Sequence, residues 1–331
     1  MPALSMLIKP ASSLCNINCK YCFYHKTESR GLMDIPTLET ILRKAFDTGK
    51  DNITFAFQGG EPTLVGIEFY RRLIEVCGGR NAGYTIQTNG INIDDEWAKL
   101  FHDNNFLVGL SVDGTKDLHD KNRCGTFNKV VKAASVLRKN DVRFNILTVI
   151  TNETARNIAK IYRFYKSQNW KYLQFIPCIG AEEVLTPQNY LYFLKTLFDL
   201  WYGDNVSVRY FDNLLNIFAG RNPEICGMTG MCGIQFVIEA DGGVYPCDFY
   251  VEDEYYLGNI KEQSFKEIFE SETAQTFIKQ SCIHSPKCKS CKWYGVCRGG
   301  CRRYKQDGEY IYCGATYEFL NYAGERFMKL L

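Results

Sequence analysis

Between Met1 and about Pro177, short runs of β-branched and aromatic residues alternate with stretches whose apolar positions recur at helical spacing. The runs predict strands at Ser5–Lys9, Ile53–Gln58, Tyr84–Thr88, Leu107–Val112, Arg143–Ile150 and Tyr172–Pro177. Helices are expected between them at Thr37–Asp47, Gly66–Cys77, Asp94–Asn104, Phe127–Asn140 and Thr154–Ser167. Asp34 with Pro36, and Asp94, are start signals, while Asn104-Asn105 and Asn140 are stops. Strands alternating with helices imply right-handed crossovers and a parallel sheet. Six such units are too few to close an eight-stranded barrel and suit an open, partial one.

In parallel α/β architectures chemistry collects at the carboxyl ends of the strands. Here the first strand runs into cysteines, the second into Gly59-Gly60-Glu61-Pro62 and the third into Thr88-Asn89-Gly90. The fourth ends in Ser111-Val112-Asp113-Gly114. Polar or glycine-rich exits on one rim predict a single site. Beyond Thr186-Pro187 two further helices are expected, Gln188–Tyr202 and Asp212–Ala219. After Asn222-Pro223 the chain becomes loop-rich, with a short hairpin, Phe236–Glu239 and Val244–Tyr245 about Asp241-Gly242-Gly243. Such a segment rarely supports a core unaided, so a second, metal-dependent domain is expected there.

At 331 residues, 46% hydrophobic and 14% aromatic, the chain can bury a real core. Lys and Arg (39) nearly balance Asp and Glu (37), so no global field favours nucleic acid or an anionic membrane. No apolar stretch approaches the ~18 residues of a membrane span. Met1–Pro10 lacks the apolar region of a signal peptide. A cytoplasmic protein is expected. The abnormal number is 15 cysteines, which in a reducing compartment point to metal rather than disulfides.

Cys15, Cys19 and Cys22 form C-x3-C-x2-C on one short loop. Three thiolates can hold three irons of a cubane and leave the fourth open. Structural zinc prefers four protein ligands with paired knuckles or histidines, whereas iron–sulfur sites tolerate tight loops of cysteine alone. Nine of the 15 cysteines lie between Cys226 and Cys313. Eight of them are spaced Cys226-x5-Cys232-x14-Cys247 and Cys288-x2-Cys291-x5-Cys297-x3-Cys301-x11-Cys313, enough for two groups of four. A zinc ribbon needs two CxxC knuckles, and Cys288/Cys291 supplies one.

The cysteine loop, with Tyr21 before its last cysteine, and Gly59-Gly60-Glu61-Pro62 together resemble the radical S-adenosylmethionine (SAM) enzymes. Taken alone, the GGEP stretch reads equally as a tight turn. The C-terminal cysteine pattern resembles the SPASM domain, which carries two auxiliary [4Fe–4S] clusters. A closer likeness runs from Leu4 to Cys313: LIKPASSLCNINCKYCFYH, FAFQGGEPTL, QTNG, FLVGLSVDG, CGMTGMC, VYPCDFYV and GGCRR resemble the anaerobic sulfatase-maturating enzymes. Cys22–Ile35, Cys178–Pro187 and Arg303–Cys313 are short against that family.

The resemblance implies an α/β fold: a partial (β/α)6 TIM-like barrel, the radical SAM core, over 1–180, linking helices over 181–222 and a SPASM domain over 223–331. It implies SAM and three [4Fe–4S] clusters as cofactors. The SAM-binding cluster would sit on Cys15, Cys19 and Cys22. Cys226, Cys232, Cys247 and Cys301 would hold one auxiliary cluster, and Cys288, Cys291, Cys297 and Cys313 the other. Cys77, Cys124, Cys178 and Cys282 are left as plain thiols. Family positions of SAM contacts fall on Tyr21, Gly60, Ser111, Arg123 and Ile179. Arg123 suits the methionyl carboxylate as a guanidinium fork, Ser111 the ribose, and the GGE backbone the amine.

The reaction so implied oxidises a Cys or Ser of a nascent sulfatase to Cα-formylglycine. A 5′-deoxyadenosyl radical removes hydrogen from Cβ, a base takes the thiol or hydroxyl proton, and an electron leaves through the auxiliary clusters. The base position falls on Asp248, directly after Cys247, where a carboxylate would be partly desolvated. In an anonymous loop the same residue reads as a hairpin-end aspartate held by backbone amides. Gln58 and Tyr24 are candidate substrate contacts on the rim. His25, His102, His119 and His284 form no metal-spaced pair and receive no role.

Expected partners are the nascent sulfatase or another peptide and a small electron-donor protein of flavodoxin or ferredoxin type. The chain is expected to be a monomer that binds neither nucleic acid nor membrane. One alternative is a radical SAM/SPASM maturase of another peptide, making a thioether, a carbon–carbon crosslink or an epimer. Such enzymes often carry a leader-binding domain before the barrel, and a first strand at about Ser5 leaves no room for one. The other alternative is a non-catalytic zinc or iron–sulfur protein.

Overall fold

The computed structural model describes residues 3–179 and 184–331. All six expected strands form within two residues of their predicted bounds: β1 (Ala3–Ile8), β2 (Asn52–Phe57), β3 (Ala82–Thr88), β4 (Leu107–Ser111), β5 (Phe144–Ile150) and β6 (Tyr172–Pro177). Six shorter strands follow among the described residues, β7 (Ser207–Val208), β8 (Val237–Ile238), β9 (Gly243–Tyr245), β10 (Gly258–Asn259) and an antiparallel pair, β11 (Lys305–Gln306) and β12 (Glu309–Tyr310). The chain divides into two units, each drawn from three segments. The first comprises Met1–Ser111, Arg123–Phe144 and Ile234–Phe277; the second comprises Val112–Asn122, Asn145–Gly233 and Ile278–Leu331.

In the first unit β1, β2, β3 and β4 run parallel, with Ile8 opposite Phe57, Phe57 opposite Ile86 and Thr88 opposite Leu110. Met6, Ile8, Phe55, Phe57, Ile86, Val108 and Leu110 are buried. Helices Ile35–Asp47, Ile67–Cys77, Asp95–Asp103 and Phe127–Lys139 belong to the same unit. The start signals act as capping chemistry requires. Asp34 accepts from Thr37 N at 2.8 Å, and Asp94 from Glu96 N and Trp97 N at 3.0 Å. The hairpin expected inside the cysteine-rich region forms, yet it extends this sheet: β8 lies parallel to β1, with Leu7 opposite Val237 and Ile8 opposite Ile238. β9 and β10 then add antiparallel. Leu7 N donates to Phe236 O and Lys9 N to Ile238 O, so the hairpin of the cysteine-rich region is bonded to the strand that leads into the cysteine loop.

In the second unit β6 pairs in parallel with both β5 and β7. Helices Pro187–Trp201, Arg209–Phe218 and Cys313–Met328 bury Phe198, Phe211 and Phe327. The last helix was not expected, although its buried Ala315, Phe319, Leu320, Ala323 and Phe327 recur at helical spacing. Helices Lys116–Asn122, Phe265–Glu270 and Glu272–Ser281 were also not anticipated. The helix expected over Thr154–Ser167 is two, Asn152–Arg156 and Ile158–Ser167, parted at Asn157 (φ −101°, ψ 11°). Among the described residues no helix is long and apolar enough to cross a membrane.

Candidate active site and cluster-binding cysteines

The loop leaving β1 is folded against the exit of β2. Gly60 N donates to Ser12 O at 2.7 Å and Glu61 N to Leu14 O at 2.8 Å. A Cβ on Gly60 would stand 2.0 Å from Leu14 O, so only glycine lets the two backbones approach this closely. Glu61 is buried and ties the β2 exit to the β3 exit. Its carboxylate accepts from Thr63 N and Oγ1, from Thr88 Oγ1 at 2.7 Å and from Asn89 N at 2.8 Å. Burial raises its proton affinity and these donors oppose the rise. The sequence assigned Glu61 no role of its own.

Cys15, Cys19 and Cys22 are half-buried on this loop, and Cys22 N donates to Cys19 O at 3.1 Å. Two N–H donors face the sulfurs: Asn89 Nδ2 lies 3.8 Å from Cys15 Sγ, and Arg123 lies 3.8 Å from Cys19 Sγ. Asn89 Nδ2 also donates to Asn16 Oδ1 at 2.7 Å. Arg123 is buried, with its guanidinium 5.4 Å from the Tyr21 ring centroid. Thus Tyr21, Gly60, Arg123 and the three cysteines gather at one place in the first unit. A loop of soft donors flanked by N–H groups fits an iron–sulfur cluster. Since Gly60 N is already bonded, the backbone groups left for an ammonium are carbonyls, which are acceptors of the right kind. Ser111 ends β4 half-buried; Ile179 is half-buried after β6, in the second unit. Of the segment Cys178–Pro187, residues 180–183 lie outside the described ones.

Asp248 follows β9, and Lys9 follows β1. Lys9 Nζ stands 2.6 Å from Asp248 Oδ1, with the lysine side chain 1% and the aspartate 20% exposed. The contact is an ion pair without hydrogen-bond alignment, since Oδ1 has no hydrogen-bond partner among the described residues. Lys9 Nζ also sits 3.3 Å from the Tyr24 ring centroid, a cation–π contact. The Tyr24 hydroxyl donates to buried Glu239, and burial with that carboxylate pushes the phenol well above its ordinary value. Asp248 therefore faces a lysine rather than the backbone amides of an ordinary hairpin end. Lys9 and Glu239 enter the sequence analysis only as strand ends, with no role assigned. Gln58 is half-buried at the β2 exit, its N bonded to Ile8 O.

In the second unit the cysteines separate into two sets. Cys288, Cys291, Cys297 and Cys313 line one cavity of about 460 Å³. Burial pushes the Cys297 thiol up to about 11, with Cys313, Cys288 and Cys291 adding to the rise. Cys226, Cys232 and Cys301 form the other set: burial pushes Cys301 up to about 11, and the other two thiols act in the same direction. A Cβ on Gly227 would stand 3.0 Å from Cys301 Cβ. Cys247 belongs to the first unit. Crowded thiols that resist ionisation become thiolates when a metal takes the proton's place. Cys77 and Cys178 are buried, and Cys124 and Cys282 exposed. His119 is also buried, and Asp113 N donates to its ring at 3.2 Å. His284 lines the four-cysteine cavity.

Residues 10–165 match the model of the radical SAM superfamily, and residues 226–292 that of the SPASM iron-sulfur cluster-binding domain. The fold and its cysteine loops thus define a radical SAM enzyme, with SAM and iron–sulfur clusters as cofactors. Within that class the chain belongs to the anaerobic sulfatase-maturating enzymes. It is 50% identical to the cysteine-type anaerobic sulfatase-maturating enzyme of Clostridium novyi (strain NT), across 92% of this chain and 90% of that protein. It is 31% identical to the serine-type enzyme of Bacteroides thetaiotaomicron, across 90% and 82%. The solved structure of native anSMEcpe with bound AdoMet and the Kp18Cys peptide superimposes with a TM-score of 0.96 at 45% identity, covering 99% of both chains. The expected α/β partial barrel with a SPASM domain is the fold of this chain.

Proposed function

We propose that the protein oxidises a cysteine of a sulfatase polypeptide to Cα-formylglycine, with Asp248 as the base. The observation that carries the assignment is the pair between buried Lys9 and half-buried Asp248 beside Tyr24. A carboxylate held by a buried cation cannot turn away into solvent, so it stays presented as an acceptor. Cysteine rather than serine is favoured because the relative at 50% identity is cysteine-type and the serine-type relative stands at 31%.

When bound, the cofactors supply hydrogen-atom abstraction from substrate Cβ and a path for one electron. Cys15, Cys19 and Cys22 would hold the SAM-binding cluster. Arg123 would hold the methionyl carboxylate, the carbonyls about Gly60 the amine, and Tyr21, Ser111 and Ile179 the rest of SAM. Cys226, Cys232, Cys247 and Cys301 would carry one auxiliary cluster, and Cys288, Cys291, Cys297 and Cys313 the second. Asp248 accepts the substrate proton while Lys9 fixes its orientation. The organisation that goes with this reading is a barrel over 1–180, linking helices over 181–222 and the SPASM domain over 223–331. The protein works as a cytoplasmic monomer served by a small flavodoxin- or ferredoxin-type protein.

The test is anaerobic incubation with SAM, a chemical reductant and paired peptides carrying Cys or Ser followed by x-Pro-x-Arg. Mass spectrometry is expected to find an aldehyde, formed faster on the Cys peptide, together with 5′-deoxyadenosine. A crosslinked or epimerised product alone would overturn the reading.

A further inference from the structure

Lys305 opens β11, just after the turn in which Tyr304 N donates to Cys301 O. Its side chain lines the cavity of Cys288, Cys291, Cys297 and Cys313. The ammonium donates to Ile283 O at 2.9 Å and Ser281 O at 3.4 Å, and lies 3.2 Å from His284 Nδ1. A lysine has only donors to offer, so His284 Nδ1 accepts and the ring is neutral. Ser281 and His284 in turn touch the segment that carries the other cysteine set. The buried Ser281 hydroxyl accepts from Cys232 N at 2.8 Å, and the His284 ring bonds to the backbone of Gly230. Gly299, between Cys297 and Cys301, has φ +81°, and a Cβ there would stand 2.3 Å from His284 Nδ1. These partners of Lys305 are thus two carbonyls and a neutral ring, with no carboxylate among them. Of the neighbouring cations, Lys287 pairs with Glu309 at 3.0 Å and Arg302 bonds to Gln280 at 2.9 Å.

We propose that Lys305 acts through the auxiliary clusters, as one internal cation held between the two cysteine sets that makes both clusters easier to reduce. The proposal rests on the functional reading above, in which each set holds a cluster that gains one negative charge on reduction. A fixed cation favours the more negative state, and the effect grows where water is kept out. Burial lowers the proton affinity of Lys305, while Cys232, Cys288 and Cys301 oppose that change, so sulfurs of both sets lie within the field of one ammonium. Its three contacts leave the charge uncancelled and fix its place, which hydrogen bonds to neutral groups do and an ion pair would not. A lysine that only tied off the carbonyls after the helix Glu272–Ser281 would serve as well from the solvent side. It would not need to line the cysteine cavity.

The experiment is a reductive titration of the cluster-loaded enzyme followed by electron paramagnetic resonance, for the wild type, Lys305→Met, Lys305→Gln and Lys305→Arg. The SAM-binding cluster is picked out by its response to added SAM. In both neutral variants the reduced-to-oxidised ratio of each auxiliary cluster, read at a fixed potential, is expected to fall about tenfold. For a one-electron couple that is a shift of about 59 mV to lower potential. Lys305→Arg keeps the charge and should stay near the wild type, and the SAM-binding cluster should not move in any variant. Iron should remain at about twelve per chain. Unmoved auxiliary potentials in an iron-replete neutral variant overturn the proposal. So does a shift in one auxiliary cluster alone, because Lys305 then serves a single set. Loss of iron from both neutral variants also overturns it and makes Lys305 a structural prop. Wild-type enzyme that loads only about four irons would sink the functional reading itself, an outcome seen before any variant is titrated.

Discussion

Lys9 Nζ and Asp248 Oδ1 stand 2.6 Å apart, joining the exit of the first strand to the turn after the C-terminal hairpin. The pair exists because β8 adds in parallel to β1, which brings the segment after Glu239 to the rim where the cysteine loop begins. A buried lysine is tolerated only where anions compensate it. Here Asp248 does so directly, and Glu239 lies behind the Tyr24 ring that Lys9 contacts.

Replacing Asp248 by Asn should separate radical formation from product formation. The amide keeps the size of the carboxylate but does not accept a proton at neutral pH. Aldehyde should fall by about 10²–10⁴-fold while 5′-deoxyadenosine continues to form. Iron is measured alongside, because Asp248 adjoins Cys247. Wild-type aldehyde from an iron-replete variant would remove Asp248 from the mechanism.

Lys9→Met should leave the half-buried aspartate without its cation, costing stability at or below the low end of the about 3–5 kcal/mol that breaking a fully buried pair costs. Aldehyde yield per 5′-deoxyadenosine should drop as well, because the carboxylate loses its anchor. Lys9→Arg should restore part of that coupling ratio. Denaturant midpoints and product ratios of the three proteins decide the matter; an unchanged ratio in a folded Lys9→Met protein would leave Lys9 a purely structural cation.

Gly60→Ala places a methyl where Leu14 O now lies. Backbone must move, at about 1–3 kcal/mol or more. Because the displaced loop carries Cys15, the expected signs are loss of the SAM-induced change in the cluster's electron paramagnetic resonance spectrum and loss of SAM cleavage. Normal SAM cleavage by this variant would show that the close approach is not needed.

Iron counting separates the cysteine sets. Cys15, Cys19 and Cys22 changed together to Ala should remove about four of about twelve irons and all SAM cleavage. Cys288→Ala/Cys291→Ala should remove about four as well, yet leave SAM cleavage in place. Stoichiometric zinc in place of iron would contradict both expectations.

The six long strands, the C-terminal hairpin, most helices, the cysteine loop and the GGEP turn were legible in the sequence. Each is written by short-range rules: periodicity, caps such as Asp34 and Asp94, and ligands a few residues apart. Tyr21, Cys19 and Arg123 were proposed for one site by family likeness, and the fold gathers them. Spacing alone left the eight C-terminal thiols as two possible groups of four. Folding places Cys301 with Cys226 and Cys232, although Cys297 is nearer in the chain. Lys9 and Glu239 carried no local signal, because what matters about them is which distant residue they meet. The helix Cys313–Met328 did carry one, in apolar positions that follow the last cysteine. Periodicity and caps act over a few residues and survive in a linear reading. Burial of a charge against its partner is decided only when the sheet brings distant segments side by side.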